Sequence, residues 1–185
     1  MNRVFLLFCF ISPLTGLSQQ NSSADDSSYV YDLPYEKGTC HLLIQGYMTI
    51  FSHRGEYALD FKMKRGTKVC AVRRGVVVEV KEDSHEGGLG NKYLSKGNHV
   101  IIRHEDGTYG LYWHLMPEGA LVNVGDSVYR GEIIGLSGNT GYTAFPHLHF
   151  EVTTQQTPGQ NQIPTLFQTK KSIKYLKSLH WYKAV

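Results

Sequence analysis

The chain has 185 residues, of which 41% are hydrophobic and 12% aromatic, enough for one well-buried domain and too few for two large ones. Its 19 basic and 16 acidic side chains give a formal net charge of +3, which is too mild a balance to indicate a nucleic-acid partner. We therefore expect a single domain that binds no nucleic acid, and we predict a monomer.

Residues 1–18 have the pattern of a secretory signal peptide. The basic residue Arg3 precedes a short apolar run over residues 4–11, and the small residues Gly16 and Ser18 follow. The apolar run falls short of the roughly 20 residues that span a bilayer, although an uncleaved membrane anchor is the alternative. We expect cleavage near Ser18 and a secreted protein, periplasmic or extracellular, with no stable membrane association afterwards.

Residues 19–34 are rich in Gln, Asn, Ser and Asp and are typical of a flexible lead-in. We place the folded domain, including its C-terminal tail, at residues 35–185. Short β-rich runs separated by glycine-containing turns recur within it. These runs cover residues 40–44, 57–63, 68–72, 76–81, 99–103, 108–114, 127–129, 132–136 and 147–153.

This alternation predicts an all-β fold, a single antiparallel β-sheet or sandwich-like domain with long loops and a short C-terminal helix. The helix is indicated by the spacing of Ile173, Leu176 and Leu179, and its lysines suit a solvated face. Cys40 and Cys70 could form a disulfide in an oxidising compartment or remain as two buried thiols, and the sequence leaves both open.

The run over residues 146–152 carries the strongest functional signal. Alternate residues of a strand share a face, so His147, His149 and Glu151 point one way and the apolar residues between them point the other. Two imidazoles on one strand face can reach one small site, as a metal ligand and its catalytic neighbour do. Two surface histidines on a half-buried strand are the alternative for this pair alone.

A catalytic zinc site takes three protein ligands, usually His or carboxylate, and keeps one position open for water. His53, Asp60 and His149 can supply that set. Zinc lowers the pKa of a coordinated water from about 15.7 to about 7, which provides a nucleophile at neutral pH. His114 and His147 are then the candidates that orient the water, take its proton and support the oxyanion. Taken singly, Asp60 could cap a turn and His114 could be a core histidine.

The remaining histidines lack such company. Three lie in strand-like runs without metal-ligand spacing, one lies on a glycine-rich loop over residues 84–91, and one lies in the tail; they are His41, His99, His104, His85 and His180. No histidine follows another at the four-residue interval of the helical zinc-protease motif, so a hydrolase here must use another arrangement. The glycine-rich loop is of the kind that often walls a site.

Several runs, in order between about Gln45 and Thr153, resemble the lysostaphin-type zinc metallopeptidases, the LytM-like group. They are Ser52–Phe61, Gly66–Val72, Tyr112–Leu115, Val124–Val128 and Gly138–Gly141, the last followed by His147–Glu151. Six residues separate the first histidine from the aspartate, more than in the shortest form of the family's motif. This difference concerns the local backbone path rather than the ligand identity.

The resemblance implies that His53, Asp60 and His149 bind one Zn²⁺ and that His114 and His147 are catalytic. It also implies a narrow groove on an antiparallel scaffold and the hydrolysis of peptide cross-links in bacterial cell-wall peptidoglycan. A non-catalytic member that binds peptidoglycan or activates another hydrolase is the alternative, although all five positions are filled. A biotinyl or lipoyl carrier domain would need an acceptor lysine on a hairpin, which the stretch after Arg130 does not offer.

The sequence shows no separate cell-wall-targeting module after the last motif, so we expect the groove itself to hold the substrate. Its candidate wall residues are Tyr93, Asn98, Tyr112, Trp113 and Tyr142. Core packing is an equally good interpretation of each aromatic residue among them.

Overall fold

The computed structural model describes residues 30–50 and 53–185, so the expected signal peptide and residues 19–29 of the lead-in lie outside the described residues. Within the described ranges, strands dominate and the single named helix is a short 3-10 turn at Asn91–Lys96. No helix there is long and apolar enough to cross a membrane. The strands are β1 Val30–Tyr31, β2 Cys40–Gln45, β3 Ala58–Lys62, β4 Lys68–Cys70, β5 Gly75–Lys81, β6 Gly87–Gly88, β7 His99–His104, β8 Tyr109–Trp113, β9 Leu115–Ala120, β10 Ser127–Val128, β11 Ile133–Ser137, β12 Gly141–Tyr142, β13 His147–Thr153, β14 Leu166–Gln168, β15 Ile173–Lys174 and β16 His180–Lys183.

The main element is an eight-stranded sheet in the order β10, β5, β7, β8, β13, β3, β2, β16. Every neighbouring pair in it is antiparallel. Strand β13 lies inside the sheet between β8 and β3, where its backbone is hydrogen-bonded on both sides. The predicted all-β, antiparallel fold is confirmed, and the His-x-His run occupies one of its central strands.

A second, three-stranded antiparallel sheet of β4, β11 and β9 packs with the large sheet around one hydrophobic core. On β13 the core residues are Leu148, Phe150 and Val152, which alternate with the polar residues as the pattern predicts. The small sheet contributes Val69 and Ile134 to the same core. The arrangement is sandwich-like, and it leaves the opposite face of the large sheet to the polar residues.

The folded body begins earlier than residue 35. Strand β1 pairs with β14 in parallel, Tyr31 and Leu33 are buried, and the Tyr31 hydroxyl lies 3.0 Å from Thr108 Oγ1. Residues 30–34 are therefore part of the domain and not of a flexible lead-in. The prediction extended the flexible segment to residue 34 because residues 19–29 are polar, although the apolar residues Tyr31 and Leu33 that follow them are buried.

The predicted C-terminal helix is wrong. The segment forms β15 and β16, and of its three apolar positions only Leu176 is buried, whereas Ile173 and Leu179 are 50% and 74% exposed. Strand β16 pairs with β2 and buries Tyr182 instead. The C-terminal strand forms because β2 offers an unpaired edge of the sheet. The spacing of apolar residues within the segment carries no information about that edge.

Cys40 and Cys70, the cysteines of the described residues, are both free, with Cys70 buried and Cys40 exposed. The sequence left a disulfide and two buried thiols as alternatives; the structure has two thiols, although only Cys70 is buried. Burial raises the pKa of the Cys70 thiol to about 11, which keeps it protonated and unreactive at neutral pH.

Candidate metal centre and groove

The register of the large sheet brings the predicted site residues together on one face. His149 on β13 lies opposite Asp60 on β3 and opposite Trp113 on β8. Directly paired residues of antiparallel strands share a face, so this row lies on the side away from the core. His53 comes from the connection between β2 and β3, and His114 follows β8 directly.

His53, Asp60 and His149 form a compact cluster, in which one ligand atom from each lies within 4.8 Å of the other two. Asp60 is at its centre, with Oδ2 3.3 Å from His53 Nε2 and Oδ1 2.9 Å from His149 Nδ1. Gln45 Nε2 donates to Asp60 Oδ2 at 2.7 Å and so orients the carboxylate. The three residue types are those that zinc takes as ligands.

The ring nitrogens of His53 are arranged as a metal ligand requires. Its Nδ1 lies 3.2 Å from the carbonyl oxygen of Gly46, so Nδ1 carries the proton and donates it, and Nε2 is left as the acceptor facing Asp60. Among the described residues, this buried Nε2 has no hydrogen-bond partner. A buried polar atom without a partner is costly, and a cation bound between His53 and Asp60 would satisfy it. The donor set therefore fits zinc.

The electrostatics of the cluster favour a bound cation. Burial alone would raise the pKa of Asp60, but the hydrogen bond from His149 and the neighbouring His53 ring hold that pKa well below its usual range. Burial lowers the pKa of His149, yet the hydrogen bond and charge of Asp60 raise it overall. The carboxylate is thus ionised at neutral pH, which is the form that binds a metal ion.

His114 and His147 lie beside this cluster, with their ring centroids 4.6 Å apart and that of His114 5.9 Å from the ring of His149. Each donates its Nδ1 proton to a backbone carbonyl, His114 to Thr140 at 2.7 Å and His147 to Phe145 at 2.8 Å. The Nε2 atom of each ring is then the acceptor. Burial lowers the pKa of both, that of His114 to about 3, so both rings are neutral and can accept a proton at neutral pH.

The backbone of His114 is unusual, with a φ of 66° in the left-handed region between β8 and β9. Such a conformation costs roughly 1–2 kcal/mol for a residue with a side chain. Thr140 holds it in place, because the hydroxyl of Thr140 accepts from the Asn98 backbone nitrogen at 2.9 Å and donates to the Leu115 carbonyl at 2.8 Å. A strained backbone that aims a side chain at a cluster of ionisable groups is a frequent property of functional sites.

All five predicted site residues line one groove of about 610 Å³. Its remaining polar lining comes from Gln45, Glu56, Thr143, Glu151 and Gln162, and buried Glu151 accepts from the backbone nitrogen of Gly159 at 3.1 Å. Its loops contribute several exposed apolar side chains, namely Leu89, Leu94, Tyr142 and Phe145. The groove can therefore contact both apolar and polar parts of a ligand around the cluster.

Two of the five candidate wall residues, Trp113 and Tyr142, line the groove. Tyr112 is fully buried on the opposite face, where its hydroxyl accepts from the Val72 backbone nitrogen at 2.9 Å. Strand alternation explains the difference, because adjacent residues of β8 must point to opposite faces. Tyr93 and Asn98 do not line the groove either. The Asn98 side chain instead forms hydrogen bonds with the backbone nitrogen and carbonyl oxygen of Ser84.

Sequence reasoning missed His99, which it assigned an ordinary place in a strand. The structure buries this ring against Trp113, with their centroids 4.0 Å apart, and so places it directly behind a groove residue. The sequence could have predicted this contact. If residues 99–104 and 109–113 form a hairpin with a tight turn between them, its register places His99 opposite Trp113.

Comparison with known proteins agrees with this geometry. The model of peptidase family M23 matches residues 45–161. The glycyl-glycine endopeptidase ALE-1 of Staphylococcus capitis is 38% identical over 98 residues, 53% of this chain and 24% of that protein. The peptidoglycan DD-endopeptidase ShyA of Vibrio cholerae is 38% identical over 99 residues, 54% of this chain and 20% of that protein.

A solved structure is similar as well. The catalytic domain of the antimicrobial peptidase lysostaphin from Staphylococcus simulans superimposes with a TM-score of 0.51 at 31% identity, covering 68% of this chain and 86% of that domain. The chain thus spans about a quarter or less of the two curated relatives and most of the solved catalytic domain. Since the family match covers well over half of the chain and contains all five site residues, the chain belongs to peptidase family M23.

Proposed function

We propose that this chain is a secreted, zinc-dependent endopeptidase that hydrolyses peptide cross-links in bacterial cell-wall peptidoglycan. The observation that carries the proposal is the convergence of His53, Asp60 and His149, whose ligand atoms lie within 4.8 Å of one another, beside two neutral histidines in one groove. These are the parts that a metal-assisted hydrolase needs.

His53 would hold the zinc ion through Nε2, His149 through Nδ1 and Asp60 through a carboxylate oxygen. When bound, the ion would supply a Lewis acid that polarises the scissile carbonyl and makes water acidic enough to react near pH 7. The carbonyl of Gly46 fixes the tautomer of His53, and Gln45 orients the carboxylate. Both contacts would keep the three donors aimed at one point.

His114 and His147 would handle the protons. Their Nδ1 protons are engaged by backbone carbonyls, so Nε2 of either ring can accept a proton from the attacking water and return it to the leaving amine. The ring that has taken this proton would carry an Nε2–H, with which it would stabilise the developing oxyanion, while the other ring, still neutral, would accept a hydrogen bond from the water at Nε2 and so help to orient it. Their depressed pKa values keep both rings in the neutral form, which is the form that can accept the proton of the attacking water.

The proposed peptidoglycan substrate rests on the relatives, because two of those at 38% identity are named as a glycyl-glycine endopeptidase and a peptidoglycan DD-endopeptidase. An open groove of about 610 Å³ suits an extended peptide better than a bulky folded substrate. Export through the segment at residues 1–18 would place the enzyme where peptidoglycan lies, and N-terminal sequencing of exported protein tests that part directly.

The function is tested by incubating the purified protein with peptidoglycans of defined cross-link and identifying the soluble products by mass spectrometry. We expect fragments cut at one class of peptide bond, their loss after chelation, and their return when zinc is added back. Intact peptidoglycan in every sample, together with tight binding to it, would instead establish a non-catalytic binding protein.

A further inference from the structure

We propose that His99, Glu79 and Gln156 form a clasp that positions Trp113 as a substrate-binding wall of the groove. The clasp lies outside the five-residue cluster and performs no chemistry itself. The inference rests on the proposed function for its substrate, peptidoglycan peptide, and it assigns His99 the part of a positioning residue.

The register of the sheet places these residues in line with the metal cluster. His99 on β7 is opposite Trp113 on β8, and Trp113 is opposite His149 on β13. One row of side chains thus runs from His99 through Trp113 to His149 on one face of the sheet. Trp113 is the link between the ligand His149 and the buried ring of His99.

His99 contacts the indole closely and has an oxygen acceptor beside each of its ring nitrogens. The two ring centroids are 4.0 Å apart with an interplanar angle of 40°. The His99 Nδ1 lies 3.1 Å from the carbonyl of Gly97, and its Nε2 lies 2.8 Å from Glu79 Oε1. Whichever of the two nitrogens carries the proton, it faces an oxygen acceptor, so the ring cannot rotate without losing that hydrogen bond and it offers Trp113 a fixed stacking surface.

The clasp also reaches the loop that follows β13. Gln156 Nε2 donates to the second oxygen of Glu79, Oε2, at 3.0 Å. Two and three residues later the same loop reaches Pro158 and Gly159, which line the groove. Glu79 therefore connects the stacked pair to another groove-lining segment with its two oxygens.

Backbone packing restricts the indole from the other direction. A Cβ atom on Gly97 would lie 3.0 Å from Trp113 Cε3, so this glycine is needed for the chain to pass so close to the ring. The backbone of Gly97, whose carbonyl oxygen also lies 3.1 Å from His99 Nδ1, thus restrains one edge of Trp113 while His99 restrains its face. A half-buried tryptophan restrained in this way loses little conformational entropy when it packs on a peptide.

The test uses a Trp181→Phe background, in which Trp113 is the single tryptophan of the chain. Trp181 is 67% exposed on β16, away from the groove. We expect His99→Gln and Glu79→Ala to change the emission of Trp113, because stacking on an imidazole quenches an indole and a released ring is hydrated. Glu79→Ala keeps the experiment decisive if the buried His99 change impairs folding.

The kinetic readout separates positioning from chemistry. With soluble peptidoglycan fragments, we expect both variants to raise KM roughly fivefold or more while kcat stays within about twofold, as for a lost interaction made equally in ground and transition states. The matched controls, exposed His180→Gln and exposed Glu105→Ala, should alter neither emission nor KM. Unchanged emission and KM in both clasp variants would overturn the proposal, as would a fall in kcat alone.

Fragment binding followed by Trp113 emission, without turnover, distinguishes the two proposals. If the parent protein binds fragments but never cleaves them, and His99→Gln weakens that binding, the clasp stands and the endopeptidase fails. If the parent cleaves normally and His99→Gln binds and cleaves as well as the parent, the endopeptidase stands and the clasp fails.

Discussion

The two faces of β13 are built from alternating residues of one seven-residue strand, yet they are stabilised in different ways. On the inner face Leu148, Phe150 and Val152 are buried among other apolar side chains and need only to fill space. On the outer face His147 and His149 are held by specific hydrogen bonds to a carbonyl oxygen and to Asp60. The inner face stabilises the fold without directional contacts. The outer face lowers that stability, because holding ionisable groups in a buried place costs free energy.

The largest effect is expected from removing a proposed metal ligand on the outer face. His149→Ala leaves two protein ligands for the ion, and we expect it to lose most of its zinc and essentially all activity together. Elemental analysis of protein purified without added metal provides the measurement. The parent should carry about one equivalent of zinc, and a variant that keeps a full equivalent would show that His149 is not a ligand.

The next largest effect is expected from removing one of the two histidines proposed to transfer protons. His114→Ala should keep its zinc, because the three ligands remain, while kcat falls by roughly 10²–10⁴-fold as for a lost acid–base or electrostatic group. Zinc content and kcat are measured on the same preparation. His85→Ala, an exposed loop histidine, is the control that should change neither. Loss of metal from the His114 variant would contradict the division of roles.

A change on the inner face should do the opposite. Phe150 is 1% exposed and packs against Tyr112 and Phe167, with ring centroids 5.1 and 6.2 Å away. We expect Phe150→Ala to lower the free energy of unfolding by about 3–5 kcal/mol while the folded fraction still binds one zinc. Denaturant unfolding with parallel metal analysis checks it, and Val124→Ala, at a 62% exposed position, should stay within about 0.5 kcal/mol. Metal loss in the folded Phe150 variant would show that the two faces are not independent.

Much of the outer face could be predicted because strand alternation and residue chemistry act locally. The shared face of His147, His149 and Glu151 follows from a period of two, whereas His53 and Asp60 have residue types that zinc accepts but were selected by the resemblance to the LytM-like group. Which strands are neighbours is a non-local property, so the groove walls were predicted less well. Tyr112 and Trp113 were both candidate wall residues, with core packing as the alternative for each, and strand alternation on β8 allows only one of the two neighbours to face the groove.

The elements that could not be predicted depend on contacts between distant parts of the chain. Tyr31 is ordered by β14, more than a hundred residues away, and the tail becomes β16 because β2 offers it an edge. The spacing of Ile173, Leu176 and Leu179 is equally compatible with a helix when that edge is unknown. The left-handed φ of His114 was also beyond the sequence, since the Thr140 carbonyl that fixes its ring lies 26 residues later.

The smallest expected effect concerns His104, a histidine outside the groove that contrasts with the outer face because it is buried without a functional partner. Its Nδ1 lies 3.0 Å from the carbonyl of Arg74, and among the described residues its buried Nε2 has no hydrogen-bond partner. Burial lowers the pKa of His104 from 6.5 to about 4, although nearby Asp106 opposes the shift and Arg73 adds to it. The folded protein therefore keeps this ring neutral over a pH range in which the unfolded chain protonates it.

The sign of the pH dependence follows from that difference. Between pH 6.5 and about 4 the unfolded state binds one proton more at this ring, so the contribution of His104 to stability is complete above pH 6.5 and is lost progressively as the pH falls towards 4. The shift corresponds to about 3 kcal/mol at most. We expect the free energy of unfolding of His104→Gln to fall less steeply than that of the parent across this window, and Val124→Ala to keep the parent slope. Parallel slopes for the parent and His104→Gln would show that the buried ring is not neutral in the folded state.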